Sequence, residues 1–180
     1  MNKNYSYIIG IDNGVSGALS ILSQNISKFY LSKSYTKKCK SYTKKEQNIT
    51  RIDVENLRKI IIENIPKEKL NETIAILERP LVNPTRFKAS MSAMRSIEAT
   101  LIVLEELGID VEYIDSKVWQ HGIFTIEERA KLDTKELSRK YGLEYYPQFK
   151  DLIEKQDADA LLISHFFYDK FCNKERIDYE

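Results

Sequence analysis

Carboxylates stand at the ends of apolar stretches in this chain, where a buried charge needs compensation. Asp12 and Glu78 each end a short β-branched and aliphatic run, and Asp157 and Asp159 begin a run of alanine, leucine and isoleucine. An acid in such surroundings is costly unless it is paired. Convergent carboxylates without a histidine or cysteine cluster suit Mg²⁺ or Mn²⁺. Two such ions about 4 Å apart catalyse in-line phosphoryl transfer, so the pattern predicts phosphodiester hydrolysis.

Each acid also has an ordinary structural explanation. Asp12 begins an Asp-Asn-Gly sequence, which is typical of turns. Glu78 could pair with a nearby arginine, and Asp157 or Asp159 could only cap a helix. These explanations stay open for each acid alone. Together the acids favour a shared site, because a mixed sheet would bring the elements that carry them to one end.

A glycine-rich hairpin positions the first acid. Residues 7–11 are almost uniformly apolar, as in a strand that is buried on both faces. Asp12 follows, and Gly14 and Gly17 allow a tight turn and a close approach of the backbone. Residues 18–22 resume as a second strand. The unit is therefore predicted to be a hairpin with a carboxylate at its end.

The remaining pattern predicts one α/β domain over residues 1–180: a mixed five-stranded sheet flanked by helices, in the order β-β-β-α-β-α-β-α-α. Hydrophobic content of 42% fits a globular protein. Further strands are predicted at 26–34, 73–77 and 111–114. Helices are predicted at 54–65 after Asp53, at 90–107 before Gly108, around Trp119, at 125–141 closed by Gly142, and from Asp157 onward. A loop is predicted at 145–148.

Charge is distributed unevenly along the chain. The net charge is only +1, but residues 28–45 contain seven lysines, three tyrosines and no acid. A basic run with interleaved aromatic residues favours binding to a phosphate backbone. The alternative is a solvated loop of a lysine-rich protein. The part of this stretch that follows the predicted third strand is predicted to be a loop, with DNA contacts from Lys37, Lys38, Lys40, Lys44 and Lys45.

Cysteine use and hydropathy bear on the compartment. Cys39 and Cys172 are far apart and show no metal-ligand spacing, so free thiols in a reducing compartment are expected. No apolar run reaches transmembrane length, so no membrane association is expected. We expect a cytoplasmic protein, as in a phage or bacterium, or a nuclear or organellar one.

These motifs, in their order, resemble the RuvC-type Holliday-junction resolvases of the ribonuclease H-like superfamily, and most closely the phage and organellar branch. The likeness covers most of the chain. It rests on residues 9–18 (Ile-Gly-Ile-Asp-Asn-Gly-Val-Ser-Gly-Ala), residues 77–80 (Leu-Glu-Arg-Pro), the helix at 90–108, Val118-Trp119, and residues 157–164 (Asp-Ala-Asp-Ala-Leu-Leu-Ile-Ser).

The resemblance implies an activity and a set of ligands. A homodimer would cut two opposed strands of a four-way DNA junction by paired symmetric nicks, with two Mg²⁺ or Mn²⁺ ions and no small-molecule cofactor. Asp12 would bridge the metals, Glu78 would bind one, and Asp159 would match the last acid of the final motif. Near the start of the helix at 90–107, phosphate contacts are expected from Arg86, Lys88 and Arg95. That helix could pack on the sheet with one face and on a partner subunit with the other.

The chain departs from the family at the fourth ligand. The family has an acid or histidine three or four residues before the last acid, where this chain has Gln156 and Lys155. Asp157 is the nearest acid, but positions i and i+2 of a regular helix do not share a face. Either the helix begins irregularly at Asp157 or the site has fewer carboxylates.

Two other functions match parts of this pattern. The missing acid is consistent with a module that binds branched DNA but has lost catalysis. An actin-like nucleotide phosphotransferase also has a Gly-Ile-Asp strand before its first phosphate loop. That fold needs two such domains and more glycine-rich loops, so 180 residues with six glycines argue against it.

Overall fold

The computed structural model describes residues 4–42, 48–80 and 82–171, with side chains through Tyr168. The strands are β1 (Tyr7–Asp12), β2 (Ala18–Leu22), β3 (Ser27–Leu31), β4 (Thr36–Lys40), β5 (Asn48–Ile52), β6 (Thr73–Glu78) and β7 (Asp110–Ile114). The helices are α1 (Val54–Asn64), α2 (Phe87–Glu106), α3 (Ser116–Ile123), α4 (Ile126–Arg129), α5 (Thr134–Tyr145), α6 (Lys150–Ile153) and α7 (Asp159–Phe171).

Five strands form a mixed sheet in the order β3-β2-β1-β6-β7. The central strand β1 pairs antiparallel with β2 and parallel with β6, and β6 pairs parallel with β7. In this register Asp12 is opposite Ala18, and Ile11 is opposite Leu77. Asp12 and Glu78 therefore lie at the same end of the sheet, which we call the site end. The predicted α/β class and mixed five-stranded sheet are confirmed.

Helices cover both faces of the sheet, and the apolar side chains on each face of β1 pack against them. Ile8 packs in a core with Trp119 of α3 and Leu161 of α7, whereas Ile9 packs on the other face in a core that includes Leu57 of α1. Side chains alternate between the faces of a strand, so the even-numbered residues of β1, Asp12 among them, point to the α7 side. Within the described residues, no helix has the length and apolar character needed to cross a membrane.

The α7 helix approaches β1 unusually closely. A Cβ atom at Gly10 would lie 2.2 Å from the carbonyl oxygen of Ala160. Only glycine permits this approach. Ser20 on β2 strengthens the contact, because its hydroxyl donates to the Ala160 carbonyl at 2.7 Å and shares a 2.7 Å hydrogen bond with Ser164. The first turn of α7 is thus fixed beside the site end of the sheet.

The prediction of a loop for the lysine-rich stretch is wrong at residues 36–40, which form β4. β4 pairs antiparallel with β5 in a separate two-stranded sheet. The lysines of β4 hide the strand in the sequence, because hydrophobic alternation is the main signal for a strand. Ile49 and Ile52 of β5 are buried and anchor the pair.

The prediction of one helix at 125–141, closed by Gly142, is also wrong. α4 ends at Arg129 and α5 starts at Thr134, where Asp133 and Glu136 form a capping box. Gly142 lies inside α5, and a Cβ atom there would lie 2.2 Å from the Cβ atom of Ala158. It therefore serves packing and does not end the helix.

The last helices also start at positions that the sequence did not predict. The loop predicted at 145–148 overlaps the end of α5 and a 3₁₀ turn over Pro147–Phe149. The short helix α6 follows and was not predicted. The final helix begins at Asp159 instead of Asp157.

Candidate metal centre

Three of the four predicted acids converge at the site end of the sheet. Asp12, Asp157 and Asp159 each offer a carboxylate oxygen, and these oxygens lie within 4.8 Å of one another. We call these three residues the acid cluster. Asp157 precedes α7, and its Oδ1 accepts a hydrogen bond from the backbone nitrogen of Asp159 at 3.3 Å. Because Asp157 is outside the helix, the rule that i and i+2 face apart does not separate the two carboxylates.

Glu78 borders the acid cluster but is not one of its three members. Its Oε2 atom accepts a hydrogen bond from Nε1 of Trp119 at 3.1 Å, and Trp119 is fully buried. The indole therefore fixes the orientation of this carboxylate. Glu78 is still close enough that its charge raises the pKa values of Asp12 and Asp159.

The electrostatics of the cluster favour a cation. Desolvation raises the pKa of Asp12 well above its ordinary value, and the charges of Asp159, Glu78 and Asp157 raise it further. Desolvation, followed by the charge of Asp157, raises the pKa of Asp159 to about 7. Desolvation likewise raises the pKa of Glu78. Raised pKa values on several neighbouring carboxyl groups are typical of a cation site in which no cation balances the negative charge of the carboxylates.

A lysine that the sequence analysis did not single out contacts the cluster. Lys135 Nζ lies 2.9 Å from Oδ2 of Asp157, which is 1% exposed. This contact raises the pKa of the ammonium, and the ammonium in turn lowers the pKa values of Asp12 and Asp159. Lys135 is in the first turn of α5, where the helix dipole disfavours a cation. The sequence carries no signal for this contact, because the predicted helix at 125–141 places Lys135 in its interior.

Two serines that the sequence analysis also missed hold the start of α7. Ser138 is fully buried; it accepts a hydrogen bond from the backbone nitrogen of Ala158 at 3.0 Å, and its side chain bonds to Asp159. Ser20 contacts the first turn of α7 through the Ala160 carbonyl. A buried serine in an apolar strand was the only signal for Ser20. Both residues fix the helix that carries Asp159.

The donor set fits a hard divalent cation. Asp12, Asp157 and Asp159 supply only oxygen atoms, the ligand type that Mg²⁺ and Mn²⁺ prefer. Gln156 stands where the resemblance implies a fourth acidic ligand. Its backbone carbonyl accepts a hydrogen bond from Nε of Arg139 at 3.0 Å. The three carboxylates could therefore hold the ion, with Glu78 beside them.

The predicted DNA-binding lysines of the basic stretch differ from one another in their ion pairs. Lys37, Lys38 and Lys40 are exposed on β4. Lys37 Nζ forms an ion pair with Asp53 Oδ1 at 3.0 Å, whereas Lys38 and Lys40 pair with no acid among the described residues. Lys44 and Lys45 lie outside the described residues.

The predicted phosphate-binding cations near the start of α2 differ in their contacts. Arg86 and Lys88 are exposed where α2 begins. Arg95 contacts Tyr42, two residues beyond β4: its Nη1 donates to the Tyr42 hydroxyl, and its guanidinium carbon lies 5.5 Å from the Tyr42 ring centroid. The expected phosphate contacts of Arg86, Lys88 and Arg95 stay a prediction.

The sheet order, the parallel pairing of β1 with β6 and the helices on both faces define a ribonuclease H-like α/β fold. The chain is similar to the solved structure of Thermus thermophilus RuvC in complex with a Holliday junction substrate: 15% identity over 92% of this chain and 96% of that chain, with a TM-score of 0.50. A second Thermus thermophilus RuvC structure is 14% identical over 91% and 95% of the two chains, with a TM-score of 0.46.

No protein-family model matches the chain, and no curated protein matches its sequence significantly. The similarity therefore establishes the fold. The resemblance to the phage and organellar branch stays a prediction.

Proposed function

We propose that this chain is a metal-dependent endonuclease of the RuvC type that cuts four-way DNA junctions. The observation that carries the proposal is the convergence of Asp12, Asp157 and Asp159 at one end of a ribonuclease H-like sheet. The proposal is supported by the similar fold of Thermus thermophilus RuvC, a protein solved with a Holliday junction substrate.

In this proposal Asp12, Asp157 and Asp159 would hold two Mg²⁺ or Mn²⁺ ions, with Glu78 as a further ligand. When bound, such ions activate water and stabilise the charge that develops in phosphodiester hydrolysis. The protein's own contribution is to hold the carboxylates in place. Trp119 orients Glu78 through its 3.1 Å hydrogen bond, and the turn before α7 directs Asp157 towards Asp12.

Lys135 has a separate task in this proposal. Its side chain is 64% exposed, so the ammonium can face both the acid cluster and an approaching phosphate. An ammonium beside a scissile phosphate would stabilise added negative charge. Lys135 is therefore assigned to hold the DNA backbone next to the carboxylates.

Paired nicks require two active sites, so we propose a homodimer. One face of α2 is buried on the sheet through residues such as Ile97 and Leu104. Its other face exposes large apolar side chains, a composition that suits a subunit interface. These exposed residues are Phe87, Met91, Met94 and Ile102.

Cleavage of an end-labelled four-way junction tests the proposal. A linear duplex and a nicked flap serve as comparison substrates, each with Mg²⁺, Mn²⁺ or EDTA. We expect paired symmetric nicks on the junction alone, abolished by EDTA. Equal cleavage of all three substrates would refute junction selectivity, and cleavage in EDTA would refute the metal dependence.

A binding module without catalysis is the second candidate. The observation in its favour is that the Lys135 ammonium already contacts Asp157 at 2.9 Å, while Gln156 stands where the family has a ligand. A built-in cation could stabilise the carboxylates without a metal. Tight junction binding with no cleavage under any metal would select this candidate.

A further inference from the structure

The two-stranded sheet of β4 and β5 starts from the site end of the main sheet. We call residues 36–40 and 48–52 the basic ribbon. Leu31, the last residue of β3, is opposite Ala18, which is in turn opposite Asp12. The next residue, Ser32, donates its backbone N–H to the Gly17 carbonyl at 3.0 Å. Three residues separate this anchor from the first residue of the ribbon, so the ribbon leaves the sheet near the acid cluster.

The ribbon carries cations in an arrangement that is unfavourable without an anion. Lys37 and Arg51 are directly opposite each other across the two strands. Like charges in such a pair are destabilising. Asp53 compensates Lys37 with its 3.0 Å ion pair, but Arg51 pairs with no acid in the described part of the chain. No acid occurs among the ribbon's own residues.

Lys38 and Lys40 add a second basic face. They are two positions apart on β4, so their side chains project from the same side of the strand. Both are exposed and are opposite the uncharged residues Thr50 and Asn48. Their ammonium groups are thus available to a ligand on this face.

The ribbon is braced at both ends. Ile49 and Ile52 are buried, and Tyr35, which leads into β4, is 3% exposed. Beyond β4, Tyr42 is 62% exposed, and Arg95 of α2 contacts its hydroxyl and its ring. The cations are therefore presented on a fixed surface, which lowers the ordering cost of binding.

We infer that the basic ribbon grips the phosphate backbone of a double-helical DNA arm as it leads to the acid cluster, an inference that rests on the proposed nuclease function. Lysines and arginine on a two-stranded ribbon match the spaced anions of a duplex, and such a ribbon fits the major groove of DNA, about 12 Å wide. Contacts with phosphates position a duplex without reading its sequence. The ribbon is expected to act in binding and not in the chemical step.

The salt dependence of DNA binding tests this inference. Fluorescence anisotropy would measure the Kd of the full chain for a labelled linear duplex in EDTA, from 50 to 200 mM salt. The ribbon variant is Lys38→Gln/Lys40→Gln. The matched control is Lys59→Gln/Lys67→Gln, which removes the same charge from exposed sites on α1 and near the opposite end of the sheet. Thermal melting would verify that both variants fold.

Loss of two phosphate contacts reduces the slope of log K against log salt by about 1.8, so the fourfold rise in salt should weaken the ribbon variant roughly 12-fold less than the wild type. The control should keep the wild-type slope. Equal slopes for all three proteins, the same decrease in both variants, or no duplex binding by the wild type would overturn the inference.

Failure of the nuclease proposal and failure of the ribbon inference would give different results. A normal ribbon effect without junction cleavage would retain the ribbon and refute the catalytic function. Junction cleavage by a ribbon variant with an unchanged slope would refute only the ribbon. Scrambled duplexes should bind equally, because the contacts are with the backbone.

Discussion

Oδ1 of Asp157 accepts a hydrogen bond from the backbone nitrogen of Asp159 at 3.3 Å, and this contact lies at the start of α7. It fixes the turn from which both carboxylates reach Asp12. The arrangement concentrates negative charge in a poorly solvated place. Holding these carboxylates ionised without a bound cation lowers the free energy of unfolding.

Asp159→Asn should stabilise the metal-free protein. Removing a charge that desolvation and Asp157 oppose should raise the free energy of unfolding at pH 8 in EDTA by about 2 kcal/mol. Urea unfolding would measure this change. The same variant should lose most of the stabilisation that Mg²⁺ gives the wild type.

Asp151→Asn is the matched control for that experiment, because Asp151 is an exposed acid on α6. It should change stability by less than about 0.5 kcal/mol and leave the response to Mg²⁺ intact. If Asp159→Asn destabilises the metal-free protein instead, the carboxylate is satisfied by the protein alone and the site does not need a cation.

Stability and metal affinity should depend on pH in opposite directions. The folded-state pKa of Asp159 is raised to about 7 from an ordinary value of 3.8. A raised pKa means that its stabilising contribution is complete below about pH 4 and is lost as the pH rises through about 7. In EDTA, the contribution of Asp159 to the free energy of unfolding should therefore fall between about pH 4 and pH 7.

Metal binding at the proposed site should displace the same proton. A group with a pKa of about 7 is mostly protonated at pH 6 and mostly ionised at pH 8, so the affinity for Mn²⁺ should rise about tenfold over that range. Isothermal titration calorimetry at the two pH values would measure it. An affinity that is equal at pH 6 and pH 8 would show that Asp159 does not bind the ion.

Lys135→Met should expose the cost of burying Asp157. The substitution removes the ammonium 2.9 Å from a carboxylate that is 1% exposed. Because Lys135 itself is largely solvated, the expected loss of about 1–3 kcal/mol is below that of a fully buried pair. Added Mg²⁺ should recover part of it, because the ion replaces the missing cation.

Two variants control this experiment. Lys135→Arg retains the charge and should stay near the wild type. Lys59→Met breaks an exposed 3.8 Å pair with Glu63 and should cost less than about 0.5 kcal/mol. A Lys135→Met protein as stable as Lys59→Met in EDTA would contradict the contact between α5 and the acid cluster.

Gly10→Ala should separate α7 from the sheet. The new methyl group would lie 2.2 Å from the Ala160 carbonyl oxygen and 2.8 Å from the Ser164 backbone nitrogen, neither of which can rotate away. We expect a loss of about 3 kcal/mol and weaker Mn²⁺ binding, because Asp159 would move from Asp12. Urea unfolding and calorimetry would measure the two effects.

Ser20→Ala is the companion variant at the same contact. It removes the 2.7 Å hydrogen bond to Ala160 without adding atoms, so it should cost only about 1 kcal/mol. If both substitutions prove equally mild, the close packing of α7 on β1 is not required for the site.

The sequence predicted the parts of the fold whose signal is local. β1 and β6 are continuous apolar runs, and Asp12 and Glu78 interrupt that pattern where the strands end. Parallel pairing then places both acids at one end of the sheet. The final acids were identified for the same reason, as charges at the start of an apolar helix.

The rest of the site depends on tertiary contacts. Lys135 is one of many lysines in the sequence, and only the packing of α5 on α7 identifies it as a partner of Asp157. The sequence leaves open whether Asp157 and Asp159 reach one site, because on a regular helix they would diverge. The structure brings them together because the helix begins at Asp159, two residues later than predicted. Gly142 was interpreted as a helix end because its contact with Ala158 is distant in sequence.

Cleavage and binding of a four-way junction by Asp12→Asn, beside the wild type, test the central claim most directly. With Mn²⁺, the wild type should give paired symmetric nicks. The variant should lose cleavage by at least about a thousandfold, since one charge of the acid cluster is removed, while its junction Kd in EDTA stays within about threefold of the wild type, a difference of less than 1 kcal/mol. Cleavage by Asp12→Asn at the wild-type rate would contradict the assignment of the acid cluster as the catalytic metal centre.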